Sequence, residues 1–410
     1  MATKLDSSKK PRVLFVDDEE TVLTLYRHMF SNKKSDWEIG YAEDGIEALN
    51  LMEEEPYDVL VTDMNMPRMN GAELVVQVAE EYPSTARVII TGFSDQKSVI
   101  QCLEATHRFL MKPFEVVNLT EIIQTLIALH KSLNQNTLKE FCGQISHLPS
   151  SPKIYFQITE ELQKPNVTTE KIASLISCDP CMTAKLLQLV NSAFFGFAYE
   201  IHHPKDAVQL LGIETVRSLA MLIYVFSYYE DSDKGGISID ELSTHCLQTA
   251  VNAQKISRDM KLPSNIQDQA FTAGMLHDLG KLILATQDPD AYRKSIILQK
   301  ENKLQDWESE QQVFGATHME IGAYLFSLWG LPVPIIEAIM WHHQPSKEGP
   351  NTFSALSAIY VAESLHEFAS DGKKDPTDTD MDLEYLLTSG VTENQLDRWK
   401  EDSASVLMAS

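Results

Sequence analysis

The sequence predicts a multidomain protein: a doubly wound α/β domain built on a five-stranded parallel sheet, followed by an all-α region. Three observations predict it. Between residues 11 and 130, short aliphatic runs alternate with amphipathic helical stretches, the pattern of βαβ units. Two of those runs end on carboxylates, Asp17-Asp18 and Asp63. Beyond residue 148 the strand signal fades, and apolar residues recur with the helical period.

Taken in order, Met1 to Lys10 is polar and is expected to be a disordered tail. Val13–Val16 reads as the first strand and Glu19–Phe30 as a helix with Val22, Leu23, Leu25, Tyr26 and Met29 apolar. Ile39–Ala42 follows, leading through Asp44-Gly45 into a helix over Ile46–Met52. Val59–Val61 ends on Asp63, and Pro67 and Gly71 turn the chain into Ala72–Glu81. Val88–Thr91, the helix Ser94–Thr106, Phe109–Met111 and the amphipathic Val116–Leu129 complete the alternation. In an open parallel sheet the chemistry lies beyond the carboxyl ends of the strands, so Asp17, Asp18 and Asp63 would share one crevice. Carboxylates that close repel one another, and a hard cation such as Mg²⁺ relieves this while leaving one carboxylate to attack phosphorus. At later strand ends, the Thr91 hydroxyl can bond a phosphoryl oxygen, and Lys112 can pair with a carboxylate or phosphate.

Composition sets the outer limits. At 410 residues the chain exceeds one compact core, and two or three domains are expected. No window approaches the roughly 20 apolar residues of a membrane span, and no signal-peptide pattern opens the chain, so a cytoplasmic location is expected. A net charge of -25, from 59 acidic against 34 basic residues, argues against non-specific binding to nucleic acid or anionic membrane. The five cysteines are odd in number and scattered, which implies no disulfide framework. Cys178-Asp-Pro-Cys181 reads as a helix start, with Asp179 as N-cap and Pro180 as first residue.

The acidic pair, the block Asp63-Met-Asn-Met-Pro-Arg-Met-Asn-Gly71, the strand-end Thr91 and Lys112-Pro113 together resemble the response-regulator receiver domain over about 120 residues. The resemblance implies a flavodoxin-like fold and phosphotransfer from a sensor histidine kinase to Asp63. Mg²⁺ would be held by Asp17, Asp18 and Asp63 with the backbone of Asn65. Thr91, Phe109 and Lys112 would form the switch. Receiver faces of this type also pair, so a homodimer is a possible assembly.

Residues 131–147 continue with helix-compatible residues and read as a helical connector. The helical stretches beyond it are Ile154–Leu162, Thr169–Ser177, Pro180–Asn191, Ile213–Phe226, Thr244–Met260, Ala270–Ala285, Met319–Leu328, Ile335–His342 and Ala355–His366. Residues 371–410 are expected to be an acidic tail with weak helices at Leu383–Leu387 and Glu393–Glu401. Two blocks stand out in this half. One runs from Asp179-Pro180 through Asn191-Ser192-Ala193 to Gly212, and the other contains His277-Asp278-Leu-Gly-Lys281, His318-Met-Glu-Ile-Gly322 and His342-His343. Together they resemble the HDOD family, an all-helical domain related to the HD phosphohydrolases, over 148–370 with the HD-like half at about 240–366.

That kinship implies a candidate metal set of Glu241, His245, His277, Asp278, His318, His342, His343 and Glu363, with Lys281 as a phosphate contact. Imidazole and carboxylate donors suit Zn, Mn or Fe. Two departures bear on it: Glu363 stands where catalytic relatives are expected to carry an aspartate, and Gln344-Pro345 follows the double histidine in place of a Gly-Tyr-Pro signature. Two readings therefore stay open. The helical module is an interaction domain for a downstream protein or nucleotide signal, its histidines a buried hydrogen-bond network, or it is a metal-dependent phosphodiesterase of the HD type acting on a cyclic nucleotide.

Overall fold

β1 (Arg12–Val16), β2 (Glu38–Ala42), β3 (Val59–Asp63), β4 (Ala86–Thr91) and β5 (Arg108–Met111) form one parallel sheet in the computed structural model, in the order β2-β1-β3-β4-β5. The structure describes the chain apart from residues 1–9, 34–35, 92–101, 103–104, 113, 115, 133–141, 143–156, 159–160, 163, 165–166, 192–198, 213–215, 217–234, 349–351, 371–380 and 408–410. Most of the helix expected at Ser94–Thr106, most of the connector, and the stretches at Ile154–Leu162 and Ile213–Phe226 therefore lie outside the described residues. The chain divides into two units. One comprises residues 1–146 with 188–199 and 324–331, and the other 147–187 with 200–323 and 332–410.

In the first unit the central strands β3 and β4 are buried at every position, which is why their sequences are mostly apolar or β-branched, Arg87 in β4 and Asp63 at the end of β3 being the charged exceptions. The edge strand β2 is buried only at Ala42. Helices α1 (Glu20–Met29), α2 (Gly45–Glu54), α3 (Gly71–Glu81) and α4 (Val116–Ser132) accompany the sheet. Their starts are written locally. Asp44 accepts hydrogen bonds from the backbone N–H groups of Ile46 and Glu47 to begin α2, and Asn70 with Glu73 forms a capping box for α3. Gly71 is required by close approach, because a Cβ there would stand 2.1 Å from the carbonyl oxygen of Asp63. Register aligns Val16 with Thr62 and Asp63 with Ile90, so β1, β3 and β4 end at one level. The order of strands reverses between β1 and β3, and the crevice of such a sheet opens there.

Beyond the sheet the described chain is helical: α5 (Thr169–Ile176), α6 (Pro180–Val190), α7 (Ile239–Asp259), α8 (Ser264–Leu276), α9 (Leu279–Gln287), α10 (Pro289–Asn302), α11 (Asp306–Phe314), α12 (His318–Leu328), α13 (Val333–Trp341), α14 (Ala355–Ser370), α15 (Leu383–Thr388) and α16 (Glu393–Leu407). Asp179 caps α6 through the backbone N–H of Met182 at 2.8 Å, and Cys181 is buried among apolar neighbours, as the structural reading of the cysteine pair expects. Among the described residues, no helix is long and apolar enough to cross a membrane.

Two expectations are corrected here. Ala270–Ala285 is not one helix: α8 stops at Leu276 and α9 begins at Leu279, with His277 and Asp278 in the turn between them. The apolar period runs straight through this break, so the sequence signal cannot show it. Nor are residues 381–407 a tail. Tyr385, Leu386, Val391, Leu396 and Trp399 are buried, and Trp399 donates its indole N–H to Asp259 at 3.2 Å and packs on Phe353. The acidic composition of the preceding stretch hid a few large apolar anchors. Trp399→Ala is expected to lower the unfolding free energy by about 3–5 kcal/mol, read from urea denaturation of the full chain. An unchanged midpoint would return this segment to the surface.

Candidate phosphoacceptor and metal-ligand sites

At the sheet crevice, Asp17 and Asp63 are buried at 2% and 8% exposure, and Asp18 is exposed. Lys112 reaches both buried carboxylates, pairing with Asp63 Oδ1 and lying 3.8 Å from Asp17 Oδ2. Its own backbone N–H donates to the Thr91 carbonyl at 2.8 Å, which ties β4 and β5 together at the crevice. The Asn65 backbone N–H donates to Asp63 Oδ2 at 2.9 Å and the Glu19 N–H to Asp17 Oδ1 at 3.0 Å. Thr91 is buried at the end of β4, while Phe109 lies in β5 with its side chain outside the described residues. Asp17 Oδ2 is buried with no hydrogen-bond partner, an acceptor left facing the crevice, which fits a cation held between Asp17 and Asp63.

Burial pushes the Asp17 carboxyl up to about 6; the Glu19 N–H and Lys112 oppose the rise, and Asp63 and Asp18 add to it. Because the folded chain keeps this proton more firmly than the unfolded one, the contribution to stability is full below about pH 4 and is lost as pH rises through 6. Asp17→Asn is therefore expected to stabilise the metal-free protein at pH 7 by up to about 3 kcal/mol and to flatten its pH dependence. Urea titrations at pH 5 and 7.5 test this, and equal destabilisation at both would refute it.

The helical unit gathers its candidate ligands from five places. His245 comes from α7, His277 and Asp278 from the turn between α8 and α9, His318 from the first residue of α12, His342 and His343 from the end of α13, and Glu363 from α14. Asp278, His318, His342 and His343 form one ligand group, and His245, His277 and Glu363 a second. Asp278 serves both: its Oδ1 is 3.4 Å from His318 Nε2, and its Oδ2 is 3.4 Å from His245 Nε2 and 3.7 Å from His277 Nε2. Gly280 makes the assembly possible, since a Cβ there would meet the His318 carbonyl oxygen at 1.9 Å.

Hydrogen bonds to the far side of each buried ring set the tautomers. Nδ1 of His277 lies 2.8 Å from the Gly274 carbonyl and Nδ1 of His342 lies 2.7 Å from that of Ile339. A carbonyl only accepts, so both Nδ1 atoms carry the proton. Nδ1 of His318 donates to Glu310 Oε2 at 2.7 Å, and the same oxygen takes the His318 backbone N–H at 2.8 Å. With Nδ1 of each ring engaged on its far side, Nε2 of each ring turns inward, and those of His318 and His342 face each other at 3.3 Å. Asp278 Oδ1 and His343 Nε2 are buried without a hydrogen-bond partner. A tetrahedral ion with ligands at roughly 2.1 Å has donor-to-donor edges of about 3.4 Å; His318 Nε2 meets this with His342 at 3.3 Å and Asp278 at 3.4 Å, while His342 stands 4.0 Å from Asp278.

Charge follows the same geometry. Burial alone would raise Asp278, but Lys281 and then His277 hold it well below the usual carboxylate range; for Glu363, His245 and His277 beside it overcome burial in the same way. Burial works against a proton on His245, yet Asp278 and Glu363 raise it to about 10. Burial, with His343 and His277 beside it, keeps His342 neutral, and burial pushes His343 down to about 4.

Seven of the eight metal candidates thus converge and Glu241 does not. It is exposed in the first turn of α7, where its backbone N–H is capped by Ser238 at 3.2 Å. Lys281 contacts Asp278 at 2.8 Å. The sequence reading missed Glu310 and Asp306, both on α11 and joined to the cluster only by the fold, and Thr249, whose hydroxyl donates to Glu363 at 3.1 Å. No motif marks them.

Comparison with known proteins agrees with this division. The response regulator receiver domain family matches residues 13–124 and the HDOD domain family matches residues 148–345. A chemotaxis protein CheY homolog of Campylobacter jejuni is 32% identical over 28% of this chain and 92% of its own length. An uncharacterized protein of Treponema pallidum is 26% identical over 49% of this chain, which spans 38% of that relative. Among solved structures, the MmoQ response regulator of Methylococcus capsulatus is 23% identical over 62% of this chain and 98% of its own, with a TM-score of 0.48. The chain belongs to the response regulators, with a receiver domain at its N-terminal side and an HDOD domain following it.

Proposed function

We propose that a sensor histidine kinase phosphorylates Asp63 and that the phosphoryl group, with Mg²⁺ beside Asp17, Asp18, Asp63 and the backbone of Asn65, controls the HDOD module as a signalling output. The observation that carries this reading is the convergence of Asp17, Asp63 and Lys112 at one strand-end crevice. When bound, Mg²⁺ supplies charge neutralisation for a nucleophilic carboxylate. Lys112 then has a phosphoryl oxygen to pair with, and the Thr91 hydroxyl, with Phe109, carries the change to the domain surface. A ligand that favours one arrangement of the output by ~1–3 kcal/mol is enough to bias it. In this reading the module binds a downstream protein or a nucleotide signal.

The facing Nε2 atoms of His318 and His342, within a buried group of ligand atoms that includes Asp278 and His343, favour a second reading, in which the module holds a transition metal such as Zn, Mn or Fe and hydrolyses a phosphodiester. The metal would supply an activated water; Asp278 would bridge the two ligand groups, and Lys281 would orient the anion. Metal analysis of the full chain, with turnover of a cyclic dinucleotide before and after acetyl phosphate, separates the two. Stoichiometric metal with turnover lost in His277→Ala supports the hydrolase. Absence of metal, with no change in that variant, supports the interaction module.

A further inference from the structure

Lys281 is held by two carboxylates at once, with Nζ 2.8 Å from Asp278 Oδ2 and 2.6 Å from Asp306 Oδ2. The pair marks one open edge of the cluster, and His245, 20% exposed, marks another. The side chains of Lys281 and Asp306 are 18% and 26% exposed, whereas those of His277, His318 and His342 are at 0%. While Asp306 Oδ2 sits on the ammonium, its Oδ1 accepts the Trp307 backbone N–H at 2.7 Å and lies 3.7 Å from His343 Nε2, a buried nitrogen of the first ligand group without a hydrogen-bond partner. One oxygen on a cation and the other beside a ligand nitrogen is a place that a bound oxyanion could take. Asp306 is not needed as a ligand, since both groups close without it. Nor is it needed to orient His318, which Glu310 already does.

We propose that Asp306 is an internal stand-in for a phosphoryl group: it occupies Lys281 in the resting site and is displaced when the phosphate of a nucleotide enters. The inference rests on the metal-bearing reading, because charge decides whether an anion can enter. With the carboxylates of Asp278, Asp306, Glu310 and Glu363 gathered there, the metal-free centre is net negative. Two divalent ions in the two ligand groups, with Lys281, bring five positive charges against those four negative ones, and an anion then competes with Asp306 for the ammonium. Removing the Asp306 charge lifts the competition without touching either ligand group.

The test is calorimetric titration of inorganic phosphate into the full chain loaded with Mn²⁺, for wild type, Asp306→Asn and Lys281→Gln, with metal content measured on each. Asp306→Asn is expected to bind phosphate about tenfold more tightly at unchanged metal stoichiometry, and Lys281→Gln at least about tenfold more weakly. Unchanged or weaker phosphate binding in Asp306→Asn overturns the proposal, as does loss of metal from that variant, which would make Asp306 a ligand. Because Asp306→Asn keeps the side-chain volume and the α11 start, it remains decisive even if Lys281→Gln fails to fold. A wild-type chain that takes up no metal defeats the metal-bearing reading itself, an outcome distinct from metal uptake with indifference to Asp306.

Discussion

Asp63→Asn is expected to abolish labelling of the protein by acetyl phosphate in the presence of Mg²⁺, a fall to background with little change in the unfolding midpoint. The amide is close in size to the carboxylate and can still accept the Asn65 N–H, so the turn after β3 survives. What disappears is the nucleophile, and neither neighbour replaces it. Asp17 is buried and engaged by the Glu19 N–H, and Asp18 is exposed. Autoradiography or intact mass of the full chain reads the result. Label retained in the variant would place the phosphoryl group elsewhere and break the proposed route from kinase to output.

His277→Ala is expected to weaken metal binding by the helical unit by about a hundredfold or more, because even the hydrogen-bond partners that orient such ligands are worth about 10–100-fold. His277 Nε2 stands within 3.4 Å of Glu363 and 3.2 Å of His245, so one truncation opens the second ligand group. The metal-free site compensates with protons: Asp278 and Glu363 raise His245 to about 10 against the effect of burial, so at pH 7 a cation already lies in the cluster. Metal must expel that proton. Affinity therefore falls as pH drops, and calorimetry in two buffers of different ionisation enthalpy should show proton release on binding. Competition with a chromophoric chelator measures the affinities. Equal affinity in wild type and variant would remove the histidines from the metal site.

Much of this was legible without coordinates, and the limits have physical causes. Val59–Asp63 reads as a doubly buried strand because a parallel sheet covered on both faces demands continuous apolar residues, and β3 is buried throughout. Asp17 and Lys112 could be placed at the same crevice because strand ends in a doubly wound sheet share one edge. The helical half was less transparent. Glu241 stands one turn before His245 and was expected to share its face, yet the first turn of α7 faces solvent. The turn at His277-Asp278 interrupts a region whose apolar period is continuous. Glu310 and Asp306 carry no spacing signal at all, because their partners, His318, Lys281 and His343, lie on other elements.

By itself the chain of residues determined the alternation of strands and helices, the acidic strand ends with their lysine, and the set of histidines available to a metal. These are properties of local period and residue type, which act within a few positions. Only the tertiary structure decided which imidazole nitrogens face inward, that Glu310 rather than Glu241 serves the cluster, and that Asp306 rests on Lys281. Each of those outcomes depends on the distance between atoms remote in sequence, and hydrogen bonds and ion pairs lose their worth within an ångström or two of the wrong place.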